Sequence, residues 1–125
     1  MRHAAARTQA FHRRAQVLGV TERWVVRTDF SDELGAAATR TLLASTPRPT
    51  AVVDDNDVMA VAGLGVATEL GMAVPTDVSL LACDDSPLGR ITHPPLSAMS
   101  RDVAGSARRP GACCSPWSTD SGWAP

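Results

Sequence analysis

Two short runs of carboxylate and amide side chains are the strongest candidates for chemistry in this 125-residue sequence. One run spans residues 54–57 and contains Asn56 among aspartates, and the other is the pair Asp84 and Asp85. Carboxylates accept hydrogen bonds, bind Mg²⁺ and act as general acids or bases, whereas an amide both donates and accepts. Each run also has a structural explanation, because Asn56 or Asp57 is a good helix N-cap and the second pair could form a solvated turn.

Neither run is accompanied by the partners that catalysis or metal binding requires. A small α/β enzyme would use Asp54, Asp55 and Asp84, but no nucleophile–base pair and no glycine-rich phosphate loop accompanies them. A Mg²⁺ ion would need further ligands from elsewhere in the chain. The three cysteines form no zinc-binding spacing with one another or with a histidine. We therefore expect no enzymatic activity, no metal and no cofactor.

Charge and hydropathy restrict the partners and the compartment. The formal net charge is −1, so the chain has no summed positive field that would attract a nucleic acid. No apolar leader follows the basic residues at the N-terminus, and no run approaches the ~18 apolar residues of a membrane span. Cysteines without a disulfide pattern fit a reducing compartment. We expect a cytoplasmic protein that contacts neither a membrane nor, by itself, DNA.

Helical spacing of apolar residues is typical of three segments. They are residues 2–18, a segment that begins at Ser31, and a segment capped by Asn56 or Asp57. Gly19 is the predicted C-terminal cap of the first helix, and Gly71 is that of the third. The core-facing residues predicted for the second helix are Leu34, Ala38, Leu42 and Leu43, and those for the third are Val58, Val61, Ala62, Gly63, Val66 and Leu70.

Short β-rich or apolar runs between these helices predict strands at residues 22–27, 51–53 and 78–82. Alternating strands and helices with short connections predict an α/β fold with a parallel sheet and helices on both faces. Ligands of such sheets bind beyond the carboxyl ends of the strands. The polar residues at those ends fall in segments 28–31, 54–57 and 84–86.

Four landmarks resemble the effector-binding domain of LacI/GalR-type transcription regulators. Residues 49–60, PTAVVDDNDVMA, and residues 74–88, VPTDVSLLACDDSPL, carry most of the resemblance. The PPLS stretch at residues 94–97 and the pair Arg101 and Asp102 follow in the order that the family shows. The resemblance extends over about residues 2–103. It implies the C-terminal subdomain of a type I periplasmic-binding-protein fold, in which two α/β subdomains enclose a sugar or nucleobase.

The resemblance also implies four effector-contacting residues: Arg7 in the first helix, then Phe30, Asn56 and Asp84 after successive strands. Their chemistry suits a sugar or related polyol. Asp84 accepts from hydroxyls, Arg7 donates a planar fork, Asn56 does both, and Phe30 offers an apolar face. Simpler roles remain open, because Asn56 could be only a cap, Arg7 an exposed helix residue and Phe30 a core residue.

The implied parent is a cytoplasmic, homodimeric regulator that binds DNA through an N-terminal helix-turn-helix headpiece absent from this sequence. Residues 1–103 are then part of an effector-binding domain of low sugar affinity and marginal stability. Residues 104–125 have neither helical nor strand periodicity, which predicts an irregular tail. A two-base shift of reading frame would turn many of its Ser, Cys and Trp codons into apolar ones at helical spacing, so a frameshift is a hypothesis for its origin. Alternatives are the sugar-binding component of a transport system and a non-functional gene remnant.

Overall fold

The computed structural model describes residues 2–100 and confirms an α/β fold with a parallel sheet. The predicted tail, residues 104–125, and the predicted pair Arg101 and Asp102 lie outside the described residues. No helix within residues 2–100 has the length and apolar character needed to span a membrane. The elements in chain order are α1 (Arg2–Val17), α2 (Asp32–Ala44), β1 (Ala51–Asp54), α3 (Asp57–Glu69), β2 (Ser79–Ala82), α4 (Pro87–Arg90) and β3 (Ser97–Ala98).

The three described strands form one parallel sheet in the order β1-β2-β3. β1 and β2 pair in register, from Ala51 opposite Ser79 to Asp54 opposite Ala82. Parallel strands need a crossover, and α3 supplies it between β1 and β2. The two strands predicted in this part of the chain are confirmed to within one residue, whereas β3 and the short α4 carry no clear sequence signal.

The strand predicted at residues 22–27 is wrong. This segment has no regular secondary structure, and its apolar residues Trp24, Val25 and Val26 are exposed. A strand needs a neighbour that takes its backbone hydrogen bonds. Among residues 2–100 the sheet ends at β1, and no described strand pairs with residues 22–27. The segment therefore has strand propensity but no ladder to join.

α1 ends at the predicted glycine. Gly19 has a φ of 71°, which glycine adopts without the strain that a Cβ brings. Its N–H donates to the Gln16 carbonyl at 3.2 Å, and the Val20 N–H donates to the Ala15 carbonyl at 2.9 Å. These two bonds satisfy carbonyls that the helix end would otherwise leave without a partner. Gly71, with a φ of 69°, ends α3 in the same way.

α2 and α3 approach each other closely at two glycines. A Cβ built on Gly35 of α2 would lie 2.9 Å from Met59 Cγ, and one on Gly63 of α3 would lie 3.2 Å from Thr39 Oγ1. A side chain at position 35 would therefore require Met59 to move, and one at position 63 would crowd Thr39. The buried residues of α2 are Gly35, Thr39 and Leu43. The prediction is thus confirmed for Leu43, and Leu42 packs against the core, whereas Leu34 is exposed because the helix contacts α3 through Gly35 instead.

Three residues predicted to face the core, Leu34, Val58 and Leu70, are exposed instead. α3 lies between α2 and the sheet, so it buries side chains on two sides rather than along one stripe. Its buried residues are Met59, Ala60, Gly63, Leu64, Val66 and Ala67. The core cluster comprises Leu43, Val52, Leu64, Val66, Ala67, Val78 and Leu80.

Candidate ligand-binding site

The loops that follow β1 and β2 leave the sheet at the same edge, which we name the carboxyl edge and define by residues 54–57 and 83–86. Because Asp54 lies opposite Ala82 in the parallel register, the two loops start side by side. The Cys83 N–H donates to the Asp54 carbonyl at 2.9 Å, and the Ser86 hydroxyl bonds to an Asp57 carboxylate oxygen. The second loop is thus fastened to the first at both of its ends.

Asn56 is the N-cap of α3 and also joins the loop to a neighbouring segment. Its Oδ1 accepts from the Met59 N–H at 2.8 Å, which satisfies one of the open donors of the helix. Its Nδ2 donates to the Phe30 carbonyl at 3.0 Å. The cap interpretation is therefore confirmed, and the same side chain also brings Phe30 to the carboxyl edge.

Phe30 lies in a strained conformation beside Asn56. Its φ is 69°, a region that a bulky residue rarely adopts. The Phe30 N–H donates to Thr28 Oγ1 at 3.3 Å, while its carbonyl accepts from Asn56. Such a conformation persists only where the surroundings hold it, and it is common at ligand-binding sites. Phe30 is half-buried and does not belong to the buried core.

Arg7 reaches from α1 to the loop after β1. Its Nη1 donates to the Asp55 carbonyl at 3.0 Å and lies 3.1 Å from Asp55 Oδ1. The two side chains are 31% and 33% exposed, so the pair is partly shielded from water. Arg7 is therefore not merely an exposed helix residue, and this ion pair attaches α1 to the carboxyl edge.

Asp84 is exposed in the loop after β2, directly after the buried Cys83. Burial raises the pKa of the Cys83 thiol, while the charge of Arg7 opposes that shift and the charges of Asp55, Asp84 and Asp54 add to it. Charges act in this way only over short range. The charges of Arg7, Asp54, Asp55 and Asp84 therefore all act on the Cys83 thiol at the carboxyl edge.

Asp54 differs from its neighbours because it points into the core. The sequence pattern predicts it just after the strand, but it is the last residue of β1 and is 4% exposed. Its Oδ2 has no hydrogen-bond partner. Burial, with a smaller contribution from the Asp55 charge, raises the pKa of Asp54 to about 6. The inward direction follows from the strand period, because Asp54 is two residues from the buried Val52.

The carboxylates of residues 54–57 diverge instead of converging on one point. Asp54 faces the core, Asp55 faces Arg7, and Asp57 bonds to Ser86 and to the Val58 N–H. No group of three or more potential metal ligands lies together within residues 2–100. The structure thus joins Arg7, Phe30 and Asn56 to one loop, with the Asp84 loop fastened beside it.

No sequence pattern predicts that Asp55 pairs with Arg7. Asp55 is 48 residues away from Arg7 along the chain. Ser86 and Thr28, which hold the two neighbouring loops, are equally inconspicuous. The strand-end rule points to segments 54–57 and 84–86, whereas it includes segment 28–31 only because of a predicted strand that the structure lacks.

The sequence is similar to a known domain family and to transcriptional repressors. The family described as periplasmic binding protein-like domain matches residues 1–111. The HTH-type transcriptional repressor PurR of Escherichia fergusonii is 39% identical over 83 residues, which cover 66% of this chain and 24% of that protein. The chain thus spans about a quarter of the length of the curated relatives it matches.

Solved structures give the same result for the fold. A LacI-family transcriptional regulator from Bifidobacterium animalis subsp. lactis superposes with a TM-score of 0.78 at 43% identity, over 85% of this chain and 39% of that one. A LacI-family transcriptional regulator from an Arthrobacter species, in complex with lactose, superposes with a TM-score of 0.70 at 28% identity, over 80% of this chain and 37% of that one.

Proposed function

This chain belongs to the periplasmic-binding-protein-like domains, among the effector-binding domains of LacI/GalR-type regulators, and we propose that it binds a sugar or related polyol at its carboxyl edge. The observation that carries the proposal is the linkage of Arg7, Phe30 and Asn56 to the loop after β1. Three residues from separate parts of the chain meet there, beside the loop that holds Asp84.

Each side chain has a distinct role in this proposal. The Asp84 carboxylate accepts hydrogen bonds from sugar hydroxyls, and the Arg7 guanidinium donates from the N–H groups that Asp55 does not use. The Phe30 ring packs against the apolar C–H face of the sugar. Asn56 holds the Phe30 backbone in its strained conformation, and its second amide hydrogen is available to a ligand hydroxyl. Lactose in the complex of the Arthrobacter regulator is a ligand of this chemical class.

The proposed role is regulatory rather than catalytic. In a complete regulator, the effector binds between two subdomains and shifts the equilibrium between two arrangements of them. The change alters affinity for DNA, which a separate helix-turn-helix headpiece contacts in a homodimeric protein. The relatives named above are transcriptional regulators, which favours this role over that of an enzyme.

The test is a titration of the 125-residue chain with glucose, galactose and lactose, in which the NMR chemical shifts of the backbone amides report binding. We expect a dissociation constant on the order of millimolar, because one subdomain encloses only part of a ligand surface. The shifted amides should cluster at residues 7, 30, 55–57 and 84. Asp84→Ala should weaken binding about tenfold or more, because it removes a charged hydrogen-bond acceptor.

Asp85→Ala is the matched control for this experiment. Asp85 is the neighbouring carboxylate at the same edge, but its charge is already paired with Arg90 at 2.7 Å. Its substitution should leave sugar affinity within about twofold of the original value. Shifts that scatter over the surface, or equal losses in the two variants, would refute binding at the carboxyl edge.

A further inference from the structure

The Arg7–Asp55 ion pair determines how much positive charge Arg7 presents to a ligand in the proposed site. An arginine in a ligand site usually favours anionic ligands, because its fork matches carboxylate and phosphate. Here the Arg7 Nη1 already meets the Asp55 carboxylate at 3.1 Å and the Asp55 carbonyl at 3.0 Å. The cation is therefore neutralised from within the protein.

We infer that Asp55 is a specificity-determining residue, which makes this site select uncharged polyols and reject sugar acids and sugar phosphates. The inference rests on the proposed function, since it concerns the ligand class of the same site. Asp55 lies directly before Asn56 at the carboxyl edge, so its charge is in place whether or not the side chain touches the ligand.

The surrounding charges act in the same direction. Arg7 is the one cation among the groups that act on the Cys83 thiol, and three carboxylates, Asp55, Asp84 and Asp54, act there with it. Asp57 adds a further carboxylate at this edge, held by Ser86. An anion that enters would thus meet a net negative field, and a partly shielded site weakens such a field less than bulk water does.

Asp55→Asn separates the charge of Asp55 from its role in holding Arg7. The asparagine keeps an oxygen that can accept from Arg7 Nη1, and the main-chain carbonyl at position 55 is unchanged. The variant should therefore keep Arg7 in place while restoring its positive charge to the site. A loss of ligand discrimination in this variant reports on charge rather than on folding, which thermal melting checks separately.

The experiment compares glucose with glucuronate and with glucose 1-phosphate, which place the negative charge at opposite ends of the same ring. In the original chain, each anion should bind at least tenfold more weakly than glucose. In Asp55→Asn, that ratio should fall about tenfold, with glucose affinity within about threefold of the original. Asp77→Asn, which removes the same charge from the turn before β2, should leave the ratio unchanged.

Salt supplies a measurement that needs no variant. Raising NaCl from about 20 mM to about 500 mM should reduce the discrimination of the original chain by several-fold, since the Debye length falls well below the size of the site. Equal binding of glucose and both anions by the original chain, or an unchanged ratio in Asp55→Asn, would overturn this inference alone. Absence of any sugar binding would instead overturn the proposed function, and this inference with it.

Discussion

Residues 2–30 and residues 31–100 differ in how they bury apolar side chains. In the first region Ala15 is the one buried hydrophobic residue among the described side chains, while Val17 and Leu18 are 74% and 62% exposed. In the second region the core cluster runs from Leu43 to Leu80. The apolar residues of both regions have the periodicity of secondary structure. A helix can therefore form from its local sequence, but its apolar side chains become buried only where another element packs against them.

The candidate site lies where these two regions meet. Arg7 and Phe30 belong to the first region, and their partners, Asp55 and Asn56, belong to the second. A contact of 3.5 Å between Thr28 Oγ1 and Met59 Sδ also joins them. At the candidate site the two regions are therefore joined by polar contacts, which single substitutions can remove.

The largest expected effect comes from the same substitution made in each region. Leu80→Ala removes a side chain that is 4% exposed in the core cluster, and it should lower the free energy of unfolding by about 3 kcal/mol. Leu18→Ala, in an exposed side chain, should change it by less than about 0.5 kcal/mol. Urea unfolding followed by circular dichroism measures both. Similar losses in the two variants would show that residues 2–30 are packed after all.

A second expected effect concerns Asp54, the one carboxylate that is buried among the described residues 31–100. The pKa of Asp54 is raised to about 6 in the folded chain, from an ordinary 3.8. Between these values the folded state binds the proton more tightly than the unfolded state, so stability falls as pH rises. The Asp54 contribution to the free energy of unfolding should decrease by about 2 kcal/mol from pH 4 to pH 7.

Asp54→Asn isolates this contribution, because the amide has a similar shape and does not titrate in this range. Urea unfolding of both chains at several pH values gives the difference in their free energies of unfolding. Taking the difference cancels the contributions of all groups that the two chains share. The stability of the original chain relative to Asp54→Asn should therefore decrease as pH rises from 4 to 7. A difference that stays constant from pH 4 to pH 7 would mean that Asp54 titrates near its ordinary value in the folded protein.

The sequence predicts the elements of the packed region better than their orientation. Ser31 and Asn56 are recognisable caps, and both start the predicted helices. The buried position of Gly35 in α2 is not recognisable, because it depends on the close approach of this residue to Met59, which lies on another helix. A hydrophobic pattern counts Leu34 as a core residue, whereas the packing geometry selects glycine and threonine.

The candidate site is predictable as a set of positions and not as a set of contacts. The strand-end rule identifies segments 54–57 and 84–86, which follow strands of the sheet, and the family resemblance adds Arg7. The rule includes segment 28–31 only through the predicted strand at residues 22–27, which the structure does not contain. Neither the strand-end rule nor the resemblance indicates that Asp55 forms an ion pair with Arg7, or that Phe30 is held in a left-handed conformation. Both features depend on pairs of residues far apart in the chain, which single-sequence patterns do not record.

The smallest expected effect tests whether one ion pair holds the two regions together. Arg7→Gln removes the charge that meets Asp55, so the amides of α1 should exchange with solvent about fivefold faster, while those of α3 are unaffected. Arg40→Gln is the matched control, since its ion pair with Glu69 is mostly exposed and joins two helices of the packed region. Hydrogen exchange followed by NMR reports each amide separately. If both variants leave α1 equally protected, apolar contacts rather than the Arg7–Asp55 pair attach α1, and the distinction between the two regions would need a different physical basis.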